Sequence, residues 1–291
     1  MTADGRIVKE ASSNDGLLAV PDRQFEETLH GLCGAWLTHY PDTPILAAGM
    51  IGSRQGWYEA PYVQCPAGFE ELAAGVVWPE AGRQLGFVPG LLASSAHGSP
   101  DVLRGEEVQI FGTLDALGVC DGIFVLPGTH SKWAIVEDRK VVRFFTFMTG
   151  ELYALLRRHS ILSQLMPVDD QDTNDWSAHR DSFLAGCDEA SKGALLHRLF
   201  SIRARGLFDR LPSSEQPAFL SGLLIGEEIQ EALALLGTAA KTAPLYLICS
   251  KVLSERYTSA LQSFGIQVVA GPTHASFRGV FAIARCHGLV D

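Results

Sequence analysis

Apolar positions along the chain fall into two alternating rhythms, short continuous runs and longer stretches with helical spacing. From Phe25 to Tyr40 the spacing predicts a helix with Leu29, Leu32, Cys33, Trp36 and Leu37 on one face. Pro44 to Ala48 reads as a short buried strand running into Gly49, and Leu85 to Pro89 as another. Glu106 to Leu117 returns to helical spacing through Val108, Ile110, Phe111, Leu114 and Leu117.

The second half repeats this grammar. Asp121-Gly122 precedes the run Ile123 to Leu126, and Gly128-Thr129 ends it. Trp133 to Val136 and Val141 to Phe147 follow, with turn chemistry at Glu137-Asp138 between them, which predicts a β-meander. Helices are expected at Gly150 to His159, Ser182 to Arg205 and Ile225 to Leu236. Beyond them come a strand at Leu245 to Cys249, a helix at Lys251 to Phe264, a strand at Ile266 to Ala270 and a closing helix at Ala275 to His287. This alternation is an α/β signature, and 291 residues are too many for one compact core. The simplest division falls near residues 115–121. At the start, Asp4-Gly5 is a hairpin signal and Arg6-Ile7-Val8 a plausible second strand, but Met1, Thr2 and Ala3 alone remain for the first.

Composition narrows the function classes. Hydrophobic residues at 47% and charged residues at 19% describe a globular chain with a large interior. A net charge of -10 argues against nucleic acid as a partner, because no basic excess is available to neutralise phosphates. A small anionic substrate needs only a local cationic pocket. Cysteines at 33, 65, 120, 187, 249 and 286 show no metal spacing and are expected to be reduced and mostly buried. With no signal-like start and no apolar run of membrane length, the expected location is the cytoplasm.

Four segments can carry chemistry. Val125 to Trp133 ends a strand in Gly128-Thr129, displaying backbone N–H groups and a hydroxyl that can cradle phosphate, with His130, Ser131 and Lys132 crowded alongside. A plain hairpin turn is the alternative. Arg104-Gly105-Glu106-Glu107 opens a helix, where two acids either complement the dipole or supply a general base beside Arg104. Gly49 to Trp57 holds three glycines (Gly49, Gly52 and Gly56) after a strand. Within it Arg54 can grip a carboxylate, Gln55 a hydroxyl, and Trp57 a sugar face, so Ser53, Arg54, Gln55, Trp57 and Arg104 are the candidate substrate-binding residues. A glycine-rich surface loop with a packed tryptophan explains the same letters. In Phe219 to Glu228 the small residues Ser221 and Gly222 admit either an adenine ring or close core packing. No metal ligand is assigned.

Together these segments resemble the 2-dehydro-3-deoxygalactonokinase family. The likeness is carried by Ala48-Gly49-Met50-Ile51-Gly52-Ser53, Gln55-Gly56-Trp57, Ala60-Pro61-Tyr62, Arg104-Gly105-Glu106-Glu107, Pro127-Gly128-Thr129-His130 and Lys132-Trp133. It continues through Met148-Thr149-Gly150-Glu151-Leu152, His159-Ser160 and Phe219 to Gly226, in order and at the family's spacing across roughly residues 1 to 287. The resemblance implies an actin-like, ribonuclease-H-like α/β kinase fold with two similar domains and ATP, with Mg²⁺, in the cleft. The implied division is residues 1–117 for the sugar acid and 118–291 for the nucleotide. The implied reaction phosphorylates 2-dehydro-3-deoxy-D-galactonate at its 6-hydroxyl, in galactonate breakdown. By the same likeness Glu106 takes the position of the catalytic base and Glu107 its neighbour. Gly128, Thr129, His130 and Lys132 would form a phosphate hairpin, and Ser221, Gly222 and Leu223 an adenosine segment. The family begins with a strand carrying Asp-Trp-Gly, which is absent here, so the N-terminal domain is expected to lack its first strand or strands and Met1 to be internal to a longer protein. A non-catalytic sugar-acid-binding protein and a phosphatase-like hydrolase of the same fold are the rival readings. A homodimer is a possible assembly.

Overall fold

The computed structural model describes residues 1–13, 16–79, 84–94, 98–168 and 175–290. In chain order the first elements are α1 (Phe25–His39), β1 (Ile45–Ala47), β2 (Val63–Gln64), α2 (Phe69–Ala74), β3 (Leu85–Phe87), β4 (Leu91–Ser94), β5 (Pro100–Leu103) and α3 (Glu106–Leu117). Next come β6 (Gly122–Leu126), β7 (Ser131–Glu137), β8 (Lys140–Phe147), α4 (Thr149–His159), α5 (Trp176–Ala190) and α6 (Leu195–Leu207). The chain continues with α7 (Gln216–Leu236), α8 (Ala239–Thr242), β9 (Leu245–Leu247), α9 (Lys251–Ser263), β10 (Val269–Ala270) and α10 (Ala275–His287).

The chain divides into two compact units. One comprises Met1–Asp121, Ile135–Phe144 and Pro272–Asp291, and the other Gly122–Ala134 and Phe145–Gly271. A cut at residue 117 therefore misses a return of the chain, because α10 belongs with the first unit. The physical reason is a close helix contact. A Cβ on Gly112 of α3 would lie 1.8 Å from the Ala275 carbonyl oxygen, so only glycine lets α10 approach so nearly.

Within the first unit, β1 pairs parallel with β3, and β4 lies between β2, parallel, and β5, antiparallel. Its interior is built on Leu72, Phe87, Leu91, Leu103, Ile110, Phe111 and Leu114, each at most 1% exposed. The apolar face of α1 is only half covered. Phe25 is buried, whereas Leu32 remains 38% exposed. The Asp4-Gly5 turn forms, with Gly5 at φ +83° and its N–H on the Thr2 carbonyl, but no strand follows it at Arg6-Ile7-Val8.

Within the second unit β10, β9 and β6 are neighbouring strands in that order and mutually parallel. Fully buried β6 and buried β9 face helices, as parallel strands require. Two sequence expectations change here. The single helix expected over Ser182 to Arg205 is two, α5 and α6, because Gly193 and Ala194 take φ of +68° and +61° and break the ladder. The helix expected from Ile225 starts at Gln216, so Ser221-Gly222-Leu223 lie inside it. The six cysteines are free, but Cys187 alone is buried and Cys120 and Cys286 are exposed, which corrects the expectation of mostly buried thiols.

Candidate functional site

The first candidate region forms where β5 hands over to α3. Gly105 takes φ +106°, a conformation other residues avoid, and turns the chain so that two acids open the helix. Both acids fold back on the turn. Glu106 Oε2 accepts from the Arg104 N–H at 3.0 Å, and Glu107 Oε2 from the Gly105 N–H at 2.6 Å. Their environments differ sharply. Glu107 is fully buried, its Oε1 has no partner, and burial pushes its carboxyl up to about 8. Glu106 is half-buried and remains the reachable carboxylate.

Arg104 is the most informative side chain of this region. It is 8% exposed, stacks over the Tyr62 ring at 4.3 Å, and donates from Nη2 to the Ala60 carbonyl at 2.6 Å. Its Nε and Nη1 have no partner, nor does the buried Oγ of Ser53. A Cβ on Gly52, the residue before Ser53, would lie 3.1 Å from Arg104 Nη1, so the Gly49 loop closes over the guanidinium. Nε and Nη1 lie on different edges of the guanidinium, since Nη1 is syn to Cδ while the Nε–H faces Nη2, so each is a separate unanswered donor that an anion can meet.

The other candidates in that loop are engaged elsewhere. Arg54 has a side chain 87% exposed and pairs with Glu59 at 2.9 Å. Gln55 is exposed, and Trp57 is held in an aromatic group with Phe25, Tyr58 and Phe87. A cavity of about 400 Å³ opens beside Gly105, but Leu46, Val108, Phe277 and Val280 make its lining chiefly apolar. It offers little to an anion.

The second region lies at the carboxyl ends of the parallel strands in the second unit, the edge where open α/β sheets receive ligands. There β6 ends in Pro127-Gly128-Thr129-His130. Thr129 and His130 are exposed, and a Cβ on Gly128 would meet nothing within 4 Å, so the turn presents an open face. His130 Nε2 meets Glu151 Oε2 at 2.5 Å. Lys132 points inward, 6% exposed, and donates to Thr146 at 2.7 Å. Ser221, Gly222 and Leu223 are buried in α7. A Cβ on Gly222 would sit 1.9 Å from the Phe183 carbonyl oxygen of α5, so this segment serves helix packing.

Sequence reading missed Cys249-Ser250-Lys251. These residues follow β9, next to β6 in the sheet, and Ser250 precedes α9 without a side-chain cap on its first turn. The strand–loop–helix order was legible, and the parallel partner that gives it meaning was not. Among the described residues no group of three or more His, Cys, Asp or Glu side chains could hold a metal, and no helix is long and apolar enough to cross a membrane.

Comparison with known proteins gives the family. The description of the 2-keto-3-deoxy-galactonokinase family matches residues 1–283. A probable 2-dehydro-3-deoxygalactonokinase of Rhizobium meliloti is 36% identical over 284 residues, covering 97% of this chain and 90% of that one. The 2-dehydro-3-deoxygalactonokinase of Escherichia coli is 34% identical over 245 residues, 84% of this chain and 79% of its own. A crystal structure from Sinorhizobium meliloti, assigned as a 2-dehydro-3-deoxygalactonokinase protein, superposes with a TM-score of 0.84 at 33% identity. It covers 99% of this chain and 93% of that chain.

Proposed function

The chain belongs to the 2-keto-3-deoxy-galactonokinase family, and on that premise we propose that it moves a phosphoryl group from ATP to the 6-hydroxyl of 2-dehydro-3-deoxy-D-galactonate. The observation that carries the substrate class is Arg104, a buried guanidinium with two unpaired nitrogens beside the unpaired Ser53 hydroxyl. A sugar acid supplies what these groups lack, a carboxylate oxygen for the guanidinium and an oxygen for Ser53. Gln55, exposed at the loop surface, remains available for outer contacts, whereas Arg54 pairs with Glu59 and Trp57 packs with Phe25, Tyr58 and Phe87.

Glu106 is the base in this reading. It is the reachable acid at the start of α3, half-buried where Glu107 is fully buried. It takes the proton of the attacking hydroxyl, the role an acidic residue plays in phosphoryl transfer generally. Glu107, buried and protonated well into the neutral range, shapes the turn from below. Gly128, Thr129 and His130 receive the nucleotide phosphates through open backbone and hydroxyl donors, with Ser250 and the start of α9 beside them. ATP would supply the transferable group and Mg²⁺ would offset the charge of its phosphates, an ion that commonly needs only one or two protein carboxylates.

Phosphorus–proton correlation NMR on the product tests the reading. Phosphorus coupled to the C6 methylene protons is the expected result. Coupling to another position overturns the 6-hydroxyl assignment. Sugar-acid binding by calorimetry without any product would favour a binding protein instead.

A further inference from the structure

A buried acid in the second unit has no part in the chemistry above. Glu228 of α7 is 3% exposed, yet its carboxylate accepts from four side chains on three other elements. Oε1 takes the Ser131 hydroxyl at 2.7 Å and the Trp133 indole N–H at 2.8 Å, both on β7 just past the phosphate turn. Oε2 takes the Tyr257 hydroxyl of α9 at 2.8 Å, and Thr149, first residue of α4, adds its side chain. Ser131, Trp133 and Tyr257 are each at most 2% exposed, so water does not stand in for any of them.

Those three elements border the open turn. β7 is its exit. The start of α4 lies against it, for the Glu151 N–H donates to the Thr129 carbonyl at 2.9 Å, and a Cβ on Gly150 would sit 2.3 Å from the Gly128 carbonyl oxygen. α9 follows β9, the strand that pairs with β6 and so neighbours the strand leading into the turn. We propose that Glu228 is a positioning residue of the nucleotide site, clamping the Gly128-Thr129 turn, the start of α4 and α9 in one arrangement. The proposal rests on the reading of that turn as the phosphate site.

A carboxylate suits this task because it offers lone pairs for all four donors and needs no proton of its own. Leucine would strand the four donors in a buried place. Glutamine is a graded probe. Its carbonyl can serve Ser131 and Trp133, while its amide faces Tyr257 and Thr149, whose hydroxyls can turn round and accept.

The test compares Glu228→Leu, Glu228→Gln and Ser131→Ala with the unaltered chain, by steady-state kinetics and by calorimetry with a non-hydrolysable ATP analogue and Mg²⁺. Glu228→Leu should raise KM for ATP and lower kcat, each by about tenfold or more, with KM for the sugar acid unchanged. Glu228→Gln should fall between. Ser131→Ala, which removes one tether and leaves the core intact, should weaken analogue binding several-fold even if the leucine variant fails to fold. A lower melting temperature with unchanged ATP parameters in Ser131→Ala overturns the proposal. So does an equal rise in both KM values. Should the unaltered chain bind no analogue, the phosphate reading falls and the clamp with it. Should Thr129→Ala weaken binding while the Ser131 and Glu228 variants do not, the clamp alone fails.

Discussion

At the scale of single residues, the arginine we propose for the carboxylate is not the one that the sequence displays most openly. Arg54 sits in a loop of glycines and looked like the carboxylate grip, but its charge is answered by Glu59 in solvent. Arg104 was already among the candidate substrate-binding residues, beside Glu106 and Glu107, but its burial and two unpaired nitrogens are tertiary facts that no local pattern encodes. Arg104→Lys keeps a positive charge and loses the planar guanidinium with its separate Nε and Nη1 donors, so sugar-acid affinity measured by calorimetry should fall by at least tenfold. Arg54→Lys should cost little, because an exposed pair contributes about 0–1 kcal/mol. Equal losses in the two variants would contradict the assignment. Glu107 makes a second residue-scale prediction. Its carboxyl lies near 8 in the folded chain and near 4.5 when unfolded. Between those values the folded chain holds a proton that the unfolded chain has released. Stability attached to this group is therefore complete below about 4.5 and is lost as pH rises through about 8, by at most ~1.4 kcal/mol per pH unit. Glu107→Gln removes that slope, and denaturant unfolding should show the variant gaining on the parent from pH 5 to pH 8. A constant difference across the window would contradict it.

At the scale of elements, periodicity located most helices and strands, and α3 and α10 fall where spacing alone put their ends. Errors arose where backbone rather than pattern decides. The break between α5 and α6 depends on left-handed Gly193 and Ala194 inside an otherwise continuous helical run. The early start of α7 went unread because a helix buried on most sides loses its polar stripe. Glycine at Gly128 and at Gly112 looks alike in the sequence and differs in space. Gly112→Ala would drive a methyl group to 1.8 Å from a backbone oxygen of α10, so denaturant melts should show a loss of about 1–3 kcal/mol or more. Gly128→Ala meets no protein atom within 4 Å and should leave stability unchanged while weakening MgATP binding. Unaltered ATP affinity in Gly128→Ala would count against the phosphate turn.

At the scale of the whole molecule, family membership was legible because many short segments agree in order and spacing, a stronger signal than any one of them. The discontinuous first unit was not, since the return of α10 to α3 depends on a glycine contact between segments more than 160 positions apart in the chain. The central claim is that this chain, through Glu106, spends ATP only when a sugar acid is present to receive the phosphoryl group. The direct measurement is ADP release by the 291-residue chain with and without 2-dehydro-3-deoxy-D-galactonate, in parallel with its Glu106→Gln variant. The account predicts ADP release that depends on the sugar acid and falls by about 10²–10⁴-fold in the variant, with sugar-acid affinity little changed. ADP release at the same rate without the sugar acid, or an undiminished rate in Glu106→Gln, would contradict it.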